Sequence, residues 1–210
     1  MARAGKPYTP KNKVLILTNG EHSEKNYFEL LKSGLRTYYS VSVKFENADP
    51  VGLVEKAITL SEGYNRIWCV FDVDDFQHHG KVKEACELTR SAENVSVACS
   101  NRAFEVWLLN HFAPFRAKST MKQLKASMTA LLKKEQFGSG PYDKNDARLL
   151  ENHFVPRYRQ AAVNAKMMHQ TMKREYMNDH PAAADAHIWE LESATTVYQL
   201  VEFLINAKKQ

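Results

Sequence analysis

Cysteine is scarce in this chain. Among 210 residues there are three, Cys69, Cys86 and Cys99, and no two have the CxxC spacing of a thiolate metal site or redox motif. Cys69 and Cys99 stand within apolar runs, so buried free thiols in a reducing cytoplasm are expected. A chain of this length can build a core without disulfide staples. No apolar stretch approaches the roughly 20 residues that span a bilayer. The N-terminus, MARAGKPYTPKNK, is basic but lacks the apolar segment of a signal peptide. A cytoplasmic protein without membrane contact is therefore expected. The sequence also lacks a GxxxxGKS or GxxxxGKT phosphate loop, so any ATP hydrolysis would come from another chain. There is no internal repeat, no low-complexity segment and no aromatic-interleaved RNA-binding motif.

What is present is ordinary globular composition with an uneven charge. The hydrophobic fraction is 44%, the charged fraction 25% and the net charge +5. Residues 1–112 balance 14 Lys/Arg against 14 Asp/Glu, whereas 113–210 hold 15 against 10. The excess is densest from Arg116 to Arg174, with 13 bases and four acids. Such a surface suits a polyanion, because Lys and Arg neutralise phosphates; a merely solvated helix surface is the competing reading.

The first half alternates between strand-like and helix-like segments. Residues 13–18 (KVLILT), 41–45, 66–71 (RIWCVF) and 95–99 (VSVAC) read as strands. Residues 23–35, 50–62, 81–91 and 103–112 read as helices, with Ser23 a candidate cap for the first and Asp49-Pro50 opening the second. This pattern predicts an α/β fold with a mostly parallel sheet flanked by helices. The second half reads as helical over 119–135, 155–178 and 195–208, interrupted by the breaker-rich loop FGSGPYDKN. The predicted organisation is a basic tail over 1–12, an α/β domain over 13–112, and a largely helical C-terminal part over 113–210 packed on the sheet.

Three segments carry chemistry. WCVFDVDDF ends a buried strand in Asp72, Asp74 and Asp75. Carboxylates this close repel and raise one another's pKa, so a cation or basic partners are expected. Asp72 and Asp74 share one side of an extended segment, and hard oxygens in that arrangement suit Mg²⁺ or Mn²⁺. A polar strand end capping the next helix is the alternative. NGEHSEKNYF puts Gly20 at a strand-to-helix turn and Glu21 and Glu24 at the helix start, where capping competes with metal contact as a role for Glu24. In SNRAFEVWLLNHF, Glu105 is the only acid in an otherwise apolar run, and a buried carboxylate of this kind needs a partner or a metal. Asn101, Arg102 and His111 are candidates to serve a phosphate.

Together these segments resemble the RloB family of Toprim-like proteins. The similarity runs through Gly20-Glu21-His22-Ser23-Glu24-Lys25-Asn26-Tyr27-Phe28, Phe71-Asp72-Val73-Asp74-Asp75-Phe76, Ser100 to Phe112, and the tail Thr195-Thr196-Val197-Tyr198-Gln199-Leu200-Val201. The resemblance implies a Toprim-like fold in which a glutamate after the first strand and an Asp-x-Asp after a later one organise Mg²⁺ for phosphodiester chemistry. It also implies a neighbouring ABC-type ATPase and a part in abortive-infection defence against phage. One position departs from the pattern: the family's glutamate in the first turn aligns with Asn19, whose amide can ligate through oxygen but supplies neither charge nor base. Either Glu21 or Glu24 substitutes, or a toxic enzyme has been silenced, or catalysis has been lost and binding kept.

The expectation is accordingly a metal-dependent nuclease. Asp72, Asp74, Asp75 and Glu105 would hold the ion, aided by Glu21 or Glu24, and Lys144 would reach the scissile phosphate. Arg102, Arg116, Lys118, Lys122, Lys125, Arg157 and Arg159 would grip the strand. For Lys144 a solvated surface charge is the competing reading. DNA and RNA are both open, with a tRNA-sized target suiting a toxic effector, and self-association is also open. The alternative is a catalytically silent Toprim-fold subunit that binds or senses nucleotides or nucleic acid.

Overall fold

The structure is a computed structural model that describes residues 12–35, 37–73 and 79–206. Its centre is a four-stranded, all-parallel sheet built from β1 (Lys13–Thr18), β2 (Ser40–Phe45), β3 (Arg66–Asp72) and β4 (Val95–Ser100) in the order β2-β1-β3-β4. The apolar runs at β1 and β3 follow from this topology. Each of those strands has a neighbour on both sides and is covered on both faces. Along β1, Val14 and Ile16 enter one core while Leu15 and Leu17 enter the other, as a two-residue period requires.

Helices α1 (Ser23–Gly34), α2 (Pro50–Thr59) and α3 (His79–Leu88) connect successive strands. On α1, Tyr27, Phe28 and Leu31 point to the sheet, the i, i+1, i+4 stripe of an amphipathic helix. Asp49 caps α2 by accepting from the Gly52 N–H at 3.0 Å, and Pro50 fills the first turn where no backbone donor is needed. The expected cap at Ser23 does not form. His22 occupies the cap position, and the Ser23 hydroxyl donates instead to the Lys144 carbonyl at 3.4 Å.

Beyond β4 the chain is helical: α4 (Glu105–Leu109), α5 (Met121–Lys134), α6 (Ala147–Leu149), α7 (Tyr158–Asp179) and α8 (Val197–Ile205). A π-helical turn, Leu150–Phe154, extends α6, a segment that sequence reasoning leaves unassigned. Thr120 and Gln123 form a reciprocal capping box on α5. Leu124 and Met128 of α5, Phe154 of the π-helical turn, Ala161 and Ala165 of α7, and Val197 and Val201 of α8 join the same core as Val14, Ile16, Trp68 and Val70 of the sheet. The helical part therefore packs directly on the sheet. Each buried Val, Leu, Ile, Met or Phe of this set contributes roughly 1.5–3 kcal/mol by leaving water.

All three cysteines are free thiols, with Cys69 and Cys99 buried. No helix among the described residues is long and apolar enough to cross a membrane. Of the basic tail expected over 1–12, only Asn12 falls within the described residues.

Candidate functional site

In this strand order the connection leaving β1 runs toward β2 and the connection leaving β3 runs toward β4, so the two diverge. A crevice is left at the carboxyl ends of β1 and β3, where parallel α/β sheets place ligands. A cleft of about 350 Å³ lies there. Its walls are residues 19–24 of the β1–α1 turn, Asp49 and Pro50 at the start of α2, and Asp72 at the end of β3. Phe104 and Glu105, Met121 and Lys125 of α5, and Lys144 complete it.

The β1–α1 turn is held from both sides. The Asn19 N–H donates to the Val70 carbonyl at 3.1 Å, and the Thr18 hydroxyl donates to the Gly20 carbonyl at 2.9 Å. Glu24, in the first turn of the helix, folds back over Gly20 and is only 6% exposed. Burial drives its carboxyl up to about pKa 7, and the negative charge of Glu105 pushes the same way. A hydrogen bond from its own backbone N–H and the nearby Lys144 ammonium work against that rise. Glu21 is exposed at the rim.

Glu105 enters from the opposite wall as the first residue of α4 and is 5% exposed. Beside it lies Tyr142, from the breaker-rich loop. Its hydroxyl is buried near Ser23 and Glu105 without closing a hydrogen bond of good geometry, and burial pushes its pKa above the usual phenolic range. The link from Ser23 to the Lys144 backbone fixes this loop against α1, leaving the exposed Lys144 side chain at the mouth of the cleft.

Asp72 therefore shares one cleft with Glu24 and Glu105, each from a different stretch of chain. Asp74 and Asp75 lie outside the described residues. Among the described residues, no three His, Cys, Asp or Glu side chains converge closely enough to hold a metal ion. The donor chemistry fits a hard divalent cation nonetheless: carboxylate oxygens, the Asn19 amide, and a buried glutamate whose charge lacks a full partner.

Of the seven cations expected to grip nucleic acid, Lys125 alone is among the residues lining this cleft. Arg116 is committed to Glu175 through two hydrogen bonds, at 2.9 and 2.5 Å. Lys118 lies 3.8 Å from Glu192. Arg157 lies over the rings of Phe112 and Phe137, with its guanidinium carbon 4.9 and 5.6 Å from their centroids, and donates to the His153 carbonyl. Arg159 covers Tyr158 at 5.2 Å. Lys122 is exposed on α5, and Arg102 lines a small neighbouring recess with Ser119 and Glu192.

Two candidates for phosphate contact serve the fold instead. The Asn101 side chain is buried and donates to the Ile188 carbonyl at 3.0 Å. His111 is 1% exposed. Its Nδ1 sits 3.1 Å from the carbonyls of Trp107 and Leu108, and its Nε2 lies 2.9 Å from the Tyr27 hydroxyl. Those partners assign the neutral tautomer with the proton on Nδ1, and burial lowers the ring's pKa to about 3.

Sequence reasoning missed Asp49, Tyr142 and Met121 at the cleft. Asp49 had a signal, since every β-to-α turn of a parallel sheet opens on the same side. Tyr142 and Met121 had none, because only the packing of the helical half brings them there.

A family model described as RloB-like protein matches residues 14–204. No curated protein and no solved structure matches the chain.

Proposed function

This chain belongs to the RloB-like family, and on that basis we propose that it is a divalent-metal-dependent nuclease acting on nucleic-acid phosphodiesters. The observation that carries this reading is the meeting of Glu24, Asp72 and Glu105 with Lys125 and Lys144 around one cleft at the sheet's carboxyl edge. Carboxylates beside lysines form the pairing needed to hold a hard cation and a phosphate together.

Asp72 and Glu105 would hold Mg²⁺ or Mn²⁺, with Glu24 and the Asn19 amide completing the protein's share; when bound, the ion supplies Lewis-acid stabilisation of charge on phosphate oxygens. Lys125 and Lys144 neutralise the backbone of the strand and set it across the cleft. Glu24 holds a proton near neutrality and exchanges it at the wall facing Glu105. The wider role we propose is that of toxic effector in abortive-infection defence against phage, working with an ABC-type ATPase that supplies the nucleotide hydrolysis this chain has no motif for.

One observation favours a second reading. Asn19 stands at the cleft where the resemblance implies a glutamate, and an amide removes one negative charge from the ligand set. The chain would then be a silent binding or sensing subunit of the same shape.

Incubation with RNA and DNA in Mn²⁺ separates the two. The enzyme reading expects metal-dependent cleavage, abolished in Asp72→Asn and Glu105→Gln and raised in Asn19→Glu. Retained binding without cleavage in the parent chain and in Asn19→Glu would overturn it in favour of the sensor.

A further inference from the structure

A larger cavity, about 510 Å³, lies elsewhere, along the outer edge of β4. None of its lining residues belongs to the acidic cleft. Its volume falls within the roughly 300–1,000 Å³ of small-molecule sites.

The chemistry of its walls is specific. Lys83, Cys86 and Glu87 of α3, and Arg90 of the 3-10 turn that follows it (Thr89–Ser91), line one side of the cavity. Among the described residues neither Lys83 nor Arg90 has an ion-pair partner. The facing pair is different: Lys173 already holds Asp185 at 2.6 Å. Two cations outside any close ion pair therefore border the cavity against the single carboxylate of Glu87 on the same side, and this net positive charge draws an anion. Another wall carries the rings of His187 and Trp189, stacked with centroids 4.5 Å apart and planes 11° apart. A planar ligand extends such a stack.

The strand edge supplies the third element. β4 is the last strand of the sheet, and the outward N–H and C=O of Cys99 are bonded to Thr196, both at 2.8 Å. In a parallel ladder alternate residues turn both backbone groups to the same side. Val97, two residues earlier and lining the cavity, therefore turns its own N–H and C=O outward into it. An adjacent donor and acceptor on a strand edge match the polar edge of a nucleobase.

From these three features we infer that the cavity beside β4 is a mononucleotide-binding site. The base lies against the His187–Trp189 stack and pairs with the Val97 backbone, and Lys83 and Arg90 draw the phosphate. The site is separate from the proposed nuclease centre and needs no divalent metal from it.

The test is a titration of the full-length protein with ADP in chelator-containing buffer, followed by tryptophan fluorescence and equilibrium dialysis. Trp68 and Trp107 are buried, so quenching reports Trp189. Saturable quenching is expected. Lys83→Ala/Arg90→Ala should weaken binding about tenfold or more, and Trp189→Phe should remove the optical signal and weaken the dialysed binding. Adenosine alone and inorganic phosphate alone should each bind more weakly than ADP. Three results would overturn the inference: no ADP binding, phosphate binding as tightly as ADP, or binding indifferent to Lys83→Ala/Arg90→Ala yet lost in Lys125→Ala/Lys144→Ala. The last would place the nucleotide in the acidic cleft. Since the readout is binding without metal, absence of nuclease activity leaves it untouched.

Discussion

Gly20 and Glu24 share one volume. A Cβ on residue 20 would lie 1.9 Å from the Oε2 atom of Glu24 and 2.1 Å from its carboxyl carbon. The missing side chain is what allows a carboxyl from the first turn of α1 to lie back over the end of β1. No left-handed backbone is involved; the requirement is for space alone. Gly20→Ala should therefore fold, because the far end of a flexible side chain can move, but it should expel the Glu24 carboxyl from its seat. The expected outcome is about a tenfold or greater loss of Mn²⁺ affinity with a melting temperature close to the parent's, read by calorimetric titration and thermal unfolding.

Glu24 also predicts how metal binding depends on pH. Its carboxyl titrates near 7 in the folded protein against 4.5 ordinarily, so between those values the folded state keeps a proton that a metal ion must displace. Apparent Mn²⁺ affinity should climb with pH up to about 7, by as much as tenfold per unit, and level off above it. In Glu24→Gln that slope should vanish. A slope unchanged by the substitution would assign the proton to another group.

The stability of the metal-free protein should carry two opposing slopes. For Glu24 the folded pKa is raised, so its contribution is fully present below pH 4.5 and is lost as pH rises through 7. For His111 the folded pKa is depressed to about 3 from 6.5. The unfolded chain then binds the extra proton, and stability present above 6.5 is lost as pH falls toward 3. Between pH 7 and 5 each effect amounts to about 2 kcal/mol in opposite directions. Urea unfolding at both pH values should find Glu24→Gln losing more stability on acidification than the parent, and His111→Phe losing less. His111→Phe should also cost roughly 1–3 kcal/mol at pH 7, since the Tyr27 hydroxyl loses its acceptor.

Nucleic-acid affinity should divide the cations by position. Lys125→Ala removes a charge at the cleft and should weaken binding and lower the slope of log affinity against log salt by about one. Arg116→Ala removes a charge already spent on Glu175 and should change neither by much. Filter binding across a salt series measures both.

Much of this was legible from the residues in order. β1 and β3 announce themselves as uninterrupted apolar runs, because a strand paired on both sides and covered on both faces has no polar side to present. The positions of Gly20, Asp72 and Glu105 at strand ends or helix starts follow from the same alternation, since parallel strands bring all such ends to one edge. The excess of Lys and Arg after residue 116 was equally plain, but which of them faces the cleft was not. Arg116 and Arg157 look like Lys125 in sequence and differ only in having Glu175 or two aromatic rings within reach.

The chain's order thus determined its secondary structure, its parallel sheet and the edge on which acids gather, because these depend on local periodicity and on the short reach of strand-to-helix turns. Tertiary structure alone decided the rest. It buried His111 against Tyr27, turned Ser23 from a cap into a tether for the Lys144 loop, and laid Tyr142 beside Glu105. It also opened a second cavity between α3, β4 and α7. Each of these rests on contacts between residues far apart in the chain, where packing, charge and desolvation act across space and leave no periodic trace in the sequence.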